Sequence, residues 1–223
     1  MKIFVMATLC LKSKKMKTTK TLTVFQLEIL YRILLQRIAK GYTARQLAFL
    51  IGATPGYVEE VESLQRPFYT PDDLERISMA LEEEHLQNLY PSVADDNELL
   101  ISVQKQKYKD RWVYTYCRID EQNEEEVLYM LREDADPELD DLPEGDDILS
   151  IVADTIDVLV RAGYFYEAKL PYQVFQSINK LLPSYISPLH ICIAMGQFCD
   201  LQDKQGPLTL VDFDGKVLAY EER

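Results

Sequence analysis

TARQLAFLIGATPGYVEEVESLQRPFYTPDDLERISMAL, residues 43–81, is the part of the chain whose spacing speaks about function. Leu47, Leu50 and Ile51 give a short helix one apolar face, and Gly52 stops it where a residue must turn left-handed. Thr54 and Pro55 then restart a helix as N-cap and first-turn residue. Val58 and Val61 face inward at helical spacing, and Thr70-Pro71-Asp72-Asp73 caps a further helix carrying Leu74, Ile77 and Leu81. Two short helices, the second over residues 54–64, therefore cross at a tight turn, which is a helix-turn-helix.

Residues 23–90 resemble the Cro/phage-repressor type of helix-turn-helix, the XRE-like family. The carriers are Tyr42-Thr43, Gln46-Leu47-Ala48 and Leu50-Ile51-Gly52, then Tyr57-Val58, Val61-Glu62 and the Leu74/Ile77/Ala80-Leu81 pattern. The resemblance implies a lambda-repressor-like helical bundle that reads DNA. Its third helix would enter the major groove with the residues near its N-terminus on base edges, and its second helix would lie across the backbone. On that basis Thr54, Tyr57 and Ser63 are candidate polar contacts, and Arg45, Arg66 and Lys40 are candidate phosphate contacts.

Where the family commonly carries Gln at the start of the second helix, this chain has Ala44, which cannot donate to a phosphate. Glu59 and Glu60 lie on the outward face of the third helix, where adjacent carboxylates near phosphates meet repulsion and release no counterions. An alternative follows: a helix-turn-helix kept as a protein-docking unit, with Glu59 and Glu60 as candidate partner-binding residues.

Working outward toward the N-terminus, Phe25, Leu27, Ile29-Leu30, Ile33-Leu34 and Ile38 predict a long first helix ending at Gly41. It has more apolar surface than one packing face needs. The surplus either packs within the chain or meets a partner, and a homodimer would suit a regulator on a palindromic site. Residues 1–20 hold six lysines and no acid. Their apolar run precedes the lysines, the wrong order for a signal peptide, and is too short to span a bilayer. They read as a disordered basic arm, with Met16 as an alternative start; the sharper reading is an arm that follows DNA phosphates.

Toward the C-terminus the period changes. Residues 99–103, 112–119 and 127–131 alternate and are rich in β-branched and aromatic residues, which predicts a three-stranded antiparallel meander over 98–132. Trp112, Tyr114, Tyr116 and Tyr129 read as core and cross-strand pairs in preference to a base-stacking face. The acidic run 133–147 reads as a solvated connector without a Ca²⁺-loop pattern. Beyond it come an apolar helix ending at Gly163, helices starting at Pro171 and Pro188, and a hairpin around Asp214-Gly215. Helices followed by a hairpin have the outline of a winged helix, but Asp212 and Asp214 make its tip a poor grip on DNA.

The expectation is thus an α+β protein. It comprises a basic arm (1–20), an XRE-like helix-turn-helix domain (21–91), the meander (98–132), the acidic connector (133–147) and a helical domain with a terminal hairpin (148–223). A net charge of −13 argues against coating nucleic acid or anionic membrane by bulk charge. The four cysteines lack paired metal spacing and suit free thiols in a reducing, cytoplasmic setting. No phosphate loop, nucleophile elbow or zinc-hydrolase helix is present, so no enzyme, cofactor or metal is expected. The first functional expectation is a sequence-specific DNA-binding transcriptional regulator, with DNA as partner and the C-terminal portion for dimerisation or sensing. The alternative is a protein-interaction factor that does not bind DNA and uses a degenerate helix-turn-helix and an acidic surface.

Overall fold

Thr23 ends a strand and starts a helix. Its hydroxyl accepts from the Gln26 N–H while the Gln26 side chain accepts from the Thr23 N–H, a reciprocal cap that turns β1 (Met16–Thr23) directly into α1 (Val24–Ala39). A computed structural model describes residues 16–83, 86–92, 94–134, 147–199, 206–213 and 217–223. The chain continues through α2 (Ala44–Leu50), α3 (Tyr57–Glu62), α4 (Pro71–Ala80), β2 (Glu98–Tyr108), β3 (Arg111–Ile119) and β4 (Glu125–Asp134). Then follow α5 (Asp147–Arg161), α6 (Pro171–Leu181), α7 (Pro188–Cys199), β5 (Leu208–Phe213) and β6 (Val217–Glu222). Among the described residues this is a mixed α+β fold with one four-stranded antiparallel sheet, order β1-β2-β3-β4, and one two-stranded sheet.

The sheet departs from expectation at both edges. Residues 16–20, expected in a disordered arm, belong to β1, which pairs with β2 from Met16 opposite Lys105 to Thr23 opposite Glu98. Four threonines between 18 and 23 suit a pleated surface, and a strand needs a partner that only the distant β2 supplies. Residues 1–15, with Lys12, Lys14 and Lys15, lie outside the described residues. At the other edge β4 runs on to Asp134, so Glu133 belongs to the sheet and is buried. The connector 135–146 lies outside the described residues.

The helices form where caps and glycines place them. Thr43 with Gln46 and Thr70 with Asp73 make capping boxes, and Gly41, Gly52 and Gly163 end or follow helices with φ near +70°. The segment 54–64 is the exception. Its helix spans only Tyr57–Glu62, because the Tyr57 N–H donates to the Thr54 carbonyl and makes Thr54-Pro55-Gly56 a turn. Proline at the second position favours a β-turn there as readily as a helix start.

The surplus apolar face of α1 packs within the chain. Leu27, Ile29, Leu30, Ile33 and Leu34 are buried, and Tyr31 lies against Tyr129 of β4 with ring centroids 4.6 Å apart. Tyr114 and Tyr116 are buried, and Tyr116 stacks on Tyr129 at 4.5 Å, so these aromatics serve the core. In the C-terminal part Lys169 pairs with Tyr220 of β6 through two backbone bonds of 2.8 and 2.9 Å, which adds a short third element to the hairpin. The order in this part is helix, bridge, two helices and hairpin. This part is not separate from the rest: Tyr42 packs edge-on against Phe175, and the Tyr185 hydroxyl donates to that of Tyr42 at 3.3 Å.

Candidate interaction surface around the second and third helices

The turn after α2 is where the helix-turn-helix segment meets the terminal hairpin. Gly52 has φ +70°, and its carbonyl accepts from the Leu218 N–H at 2.8 Å. A Cβ at Gly52 would stand 2.6 Å from the Leu218 carbonyl oxygen and 2.7 Å from Val217 Cγ1. The terminal hairpin is therefore seated on the turn between α2 and α3, and only a residue without a side chain permits it. Beside this contact lies a cleft of about 540 Å³, lined by Thr54, Tyr57, Arg66, Phe68, Asp73 and Arg76 among others.

Several charges in this region are matched within the chain. Asp73 accepts from the Tyr57 hydroxyl at 2.6 Å, the Thr70 N–H at 2.8 Å and the Thr70 hydroxyl at 2.7 Å, and pairs with Arg76 at 2.7 Å. Burial works against its charge, but these bonds outweigh it and hold the carboxyl below the ordinary carboxylate range. Burial, together with this bond to a carboxylate, pushes the Tyr57 hydroxyl well above its ordinary value and keeps it a donor. Arg66 donates from Nε to Glu60 at 2.7 Å and lies 5.1 Å above the Tyr57 ring, and the Arg66 carbonyl accepts from Lys20. Glu59 pairs with Lys105 of β2 at 2.8 Å.

Of the residues expected to meet DNA, Arg45, Thr54, Arg66 and Lys40 are exposed. Lys40 pairs with Glu82 at 3.2 Å, and burial of the nearby Cys192 thiol raises its pKa while the charge of Arg45 lowers it. Tyr57 is committed to Asp73. Ser63 is 5% exposed and donates to the Glu59 carbonyl at 2.7 Å, so it faces the interior instead of a groove. A serine one turn after Glu59 on a short helix bonds back to that carbonyl, which also accepts the Ser63 N–H, more readily than it reaches outward. Of the expected partner-binding residues, Glu59 and Glu60 hold the two ion pairs already given.

A buried cluster behind this surface was missed in the sequence. Arg37 of α1 is fully buried and donates to Glu62 of α3 from Nε and Nη2, both at 2.8 Å, and to Glu133 of β4 from Nη1 at 2.7 Å and Nη2 at 3.1 Å. Its Nη1 also donates to the Tyr42 carbonyl at 2.6 Å. The Tyr114 hydroxyl donates to Glu133 at 2.7 Å and that of Tyr116 to the Glu62 carbonyl at 2.5 Å. Burial disfavours the charge on Arg37, but the two carboxylates outweigh it and raise its pKa; burial also raises that of Glu62 despite Arg37. The signal was present: Arg37 continues the inward stripe of Leu27, Leu30 and Leu34, and Glu62 follows Val58 by four. A charge on an apolar stripe requires a buried counter-charge.

Chemistry elsewhere is muted. No group of three or more His, Cys, Asp or Glu able to hold a metal occurs among the described residues. Burial raises the thiols of Cys117, Cys192 and Cys199, the last to about 11. His190 and Ser187 meet at 2.8 Å, a local contact at the start of α7. No helix among the described residues is long and apolar enough to cross a membrane. Compared with known proteins, the chain matches no family model, no curated protein and no solved structure.

Proposed function

We propose that this chain is a protein-interaction factor in which the helix-turn-helix-like segment acts as a packing unit and the acidic surface meets a partner with a basic face. The observation that carries this reading is the seat of the hairpin on Gly52: the turn between α2 and α3 is covered by the chain's own β6. Further support comes from Ser63, turned inward, and from Tyr57, held by Asp73. Glu59 and Glu60 add carboxylates to a helix that would have to approach phosphates.

The second reading is the sequence-specific DNA-binding regulator. Exposure of Arg45, Thr54 and Arg66, together with the XRE-like resemblance, favours it. Selection from random duplex DNA at low and moderate salt, with wild type beside Arg45→Ala/Arg66→Ala, separates the two. The interaction factor enriches no motif at either salt. A motif enriched by wild type and lost in the double variant would replace it with the regulator, since phosphate contacts weaken steeply with salt.

A further inference from the structure

Helix α5 is apolar on two faces. Val152, Ile156 and Leu159 point inward and are buried, and α5 packs on α7. On the adjoining face Ile151, Thr155, Val158 and Ala162 recur at intervals of three and four, which is the spacing of one helix stripe. Ile151 is 48% exposed and Val158 60%. The Thr155 hydroxyl donates back to the Ile151 carbonyl at 2.8 Å, so its polar group is satisfied within the helix and its methyl can face outward. Tyr166 prolongs the stripe past the helix end. Its ring lies across Gly163, within 2.7 Å of where a Cβ would stand, and is 77% exposed.

We infer that this stripe is a homodimer seam on which a second copy of the chain packs its own α5 in antiparallel fashion. The charges beside the stripe select the occupant. Asp154 and Arg161 lie on one flank, seven residues apart. An antiparallel pair related by a two-fold axis sets Thr155 opposite Val158 of the second copy and Ile151 opposite Ala162. In the same register Asp154 of each copy meets Arg161 of the other, giving two symmetric ion pairs. A parallel pair would place identical residues at one height and would not bring Asp154 of one copy to Arg161 of the other. Opposed helix dipoles favour the same arrangement. Arg161 now pairs with Asp157 one turn back, and its side chain is 76% exposed, so it can turn to a second copy without unpacking the core.

The seam is one helix long, shorter than a standard interface of roughly 1,600 Å², so dissociation in the micromolar range is expected. The inference does not depend on whether the chain binds protein or DNA.

Sedimentation of the full chain from about 1 to 200 µM tests it, because that range brackets a micromolar constant. Wild type should pass from monomer to dimer. Val158→Asp should weaken the dimer by at least about tenfold, since it puts a charge into an apolar seam, while leaving in place the thermal unfolding midpoint measured at a dilution where both proteins are monomeric. Asp154→Arg and Arg161→Asp, each alone, should weaken association by setting like charges together; mixed in equal amounts they should recover it as a heterodimer. A wild type that stays monomeric throughout, a dimer indifferent to Val158→Asp, or folded single variants whose mixture fails to associate would each overturn the seam.

Discussion

Arg37 and Glu62, twenty-five residues apart, form a two-point ion pair from which water is excluded, with both guanidinium–carboxylate distances at 2.8 Å. With Glu133 on the other side of the guanidinium, this pair ties α1 and α3 to the edge strand β4. The helical part and the sheet thus share one electrostatic joint.

Removing the guanidinium leaves two carboxylates buried in the joint. Arg37→Met should therefore lower unfolding stability by about 3–5 kcal/mol. The triple change Arg37→Met/Glu62→Leu/Glu133→Gln should be less damaging than Arg37→Met alone, because it removes the uncompensated charge. Urea unfolding followed by circular dichroism decides this; a triple variant less stable than the single one would refute the account.

Gly52→Ala combines a left-handed backbone with a Cβ 2.6 Å from a backbone oxygen. A cost of roughly 2–4 kcal/mol is expected, above the usual 1 kcal/mol or so of a left-handed alanine, because the hairpin must move. Hydrogen exchange should rise at the Leu218 amide, which donates to Gly52. Unchanged protection there would mean that the hairpin does not depend on this contact.

The carboxyl of Asp73 titrates below its ordinary value of 3.8 in the folded chain. The folded state therefore binds fewer protons there than the unfolded state, so its contribution is full above about pH 4 and fades as pH falls further. Asp73→Asn should cost about 1–2 kcal/mol at neutral pH and flatten the acid limb of the stability curve. An acid limb identical to wild type would show that other carboxylates govern it.

The thiols of Cys117, Cys192 and Cys199 are all pushed up by burial. Alkylation of these three in the native protein at pH 7 should be at least about tenfold slower than in urea, because the thiolate is the reactive form. Mass spectrometry after timed quenching reads the rates site by site, and native rates equal to unfolded ones would contradict the burial.

Much of the local structure was legible because its causes lie within a few residues. Thr70-Pro71-Asp72-Asp73 announces a helix start, Gly41, Gly52 and Gly163 announce stops, and Pro171 and Pro188 begin α6 and α7. The third helix was read too long because Thr54-Pro55 suits a turn and a helix start alike. Strand β1 was missed because Lys-Thr alternation carries no apolar face. Its pairing with β2, more than seventy residues away, supplies the order.

The candidate surface was less legible than the fold. Arg45, Thr54 and Arg66 were placed on the surface, whereas Ser63 is turned inward and Tyr57 is engaged by Asp73. The α+β character, the helix boundaries set by caps and glycines, and the net negative charge follow from composition and neighbouring residues. That Glu133 leaves the acidic run to join Arg37, that the hairpin covers Gly52, and that α5 keeps an exposed apolar stripe emerges only in the packed chain. The reason is physical: capping and periodicity are short-range and written in adjacent residues, while charge burial and surface occlusion depend on segments that meet only after the chain has closed its core.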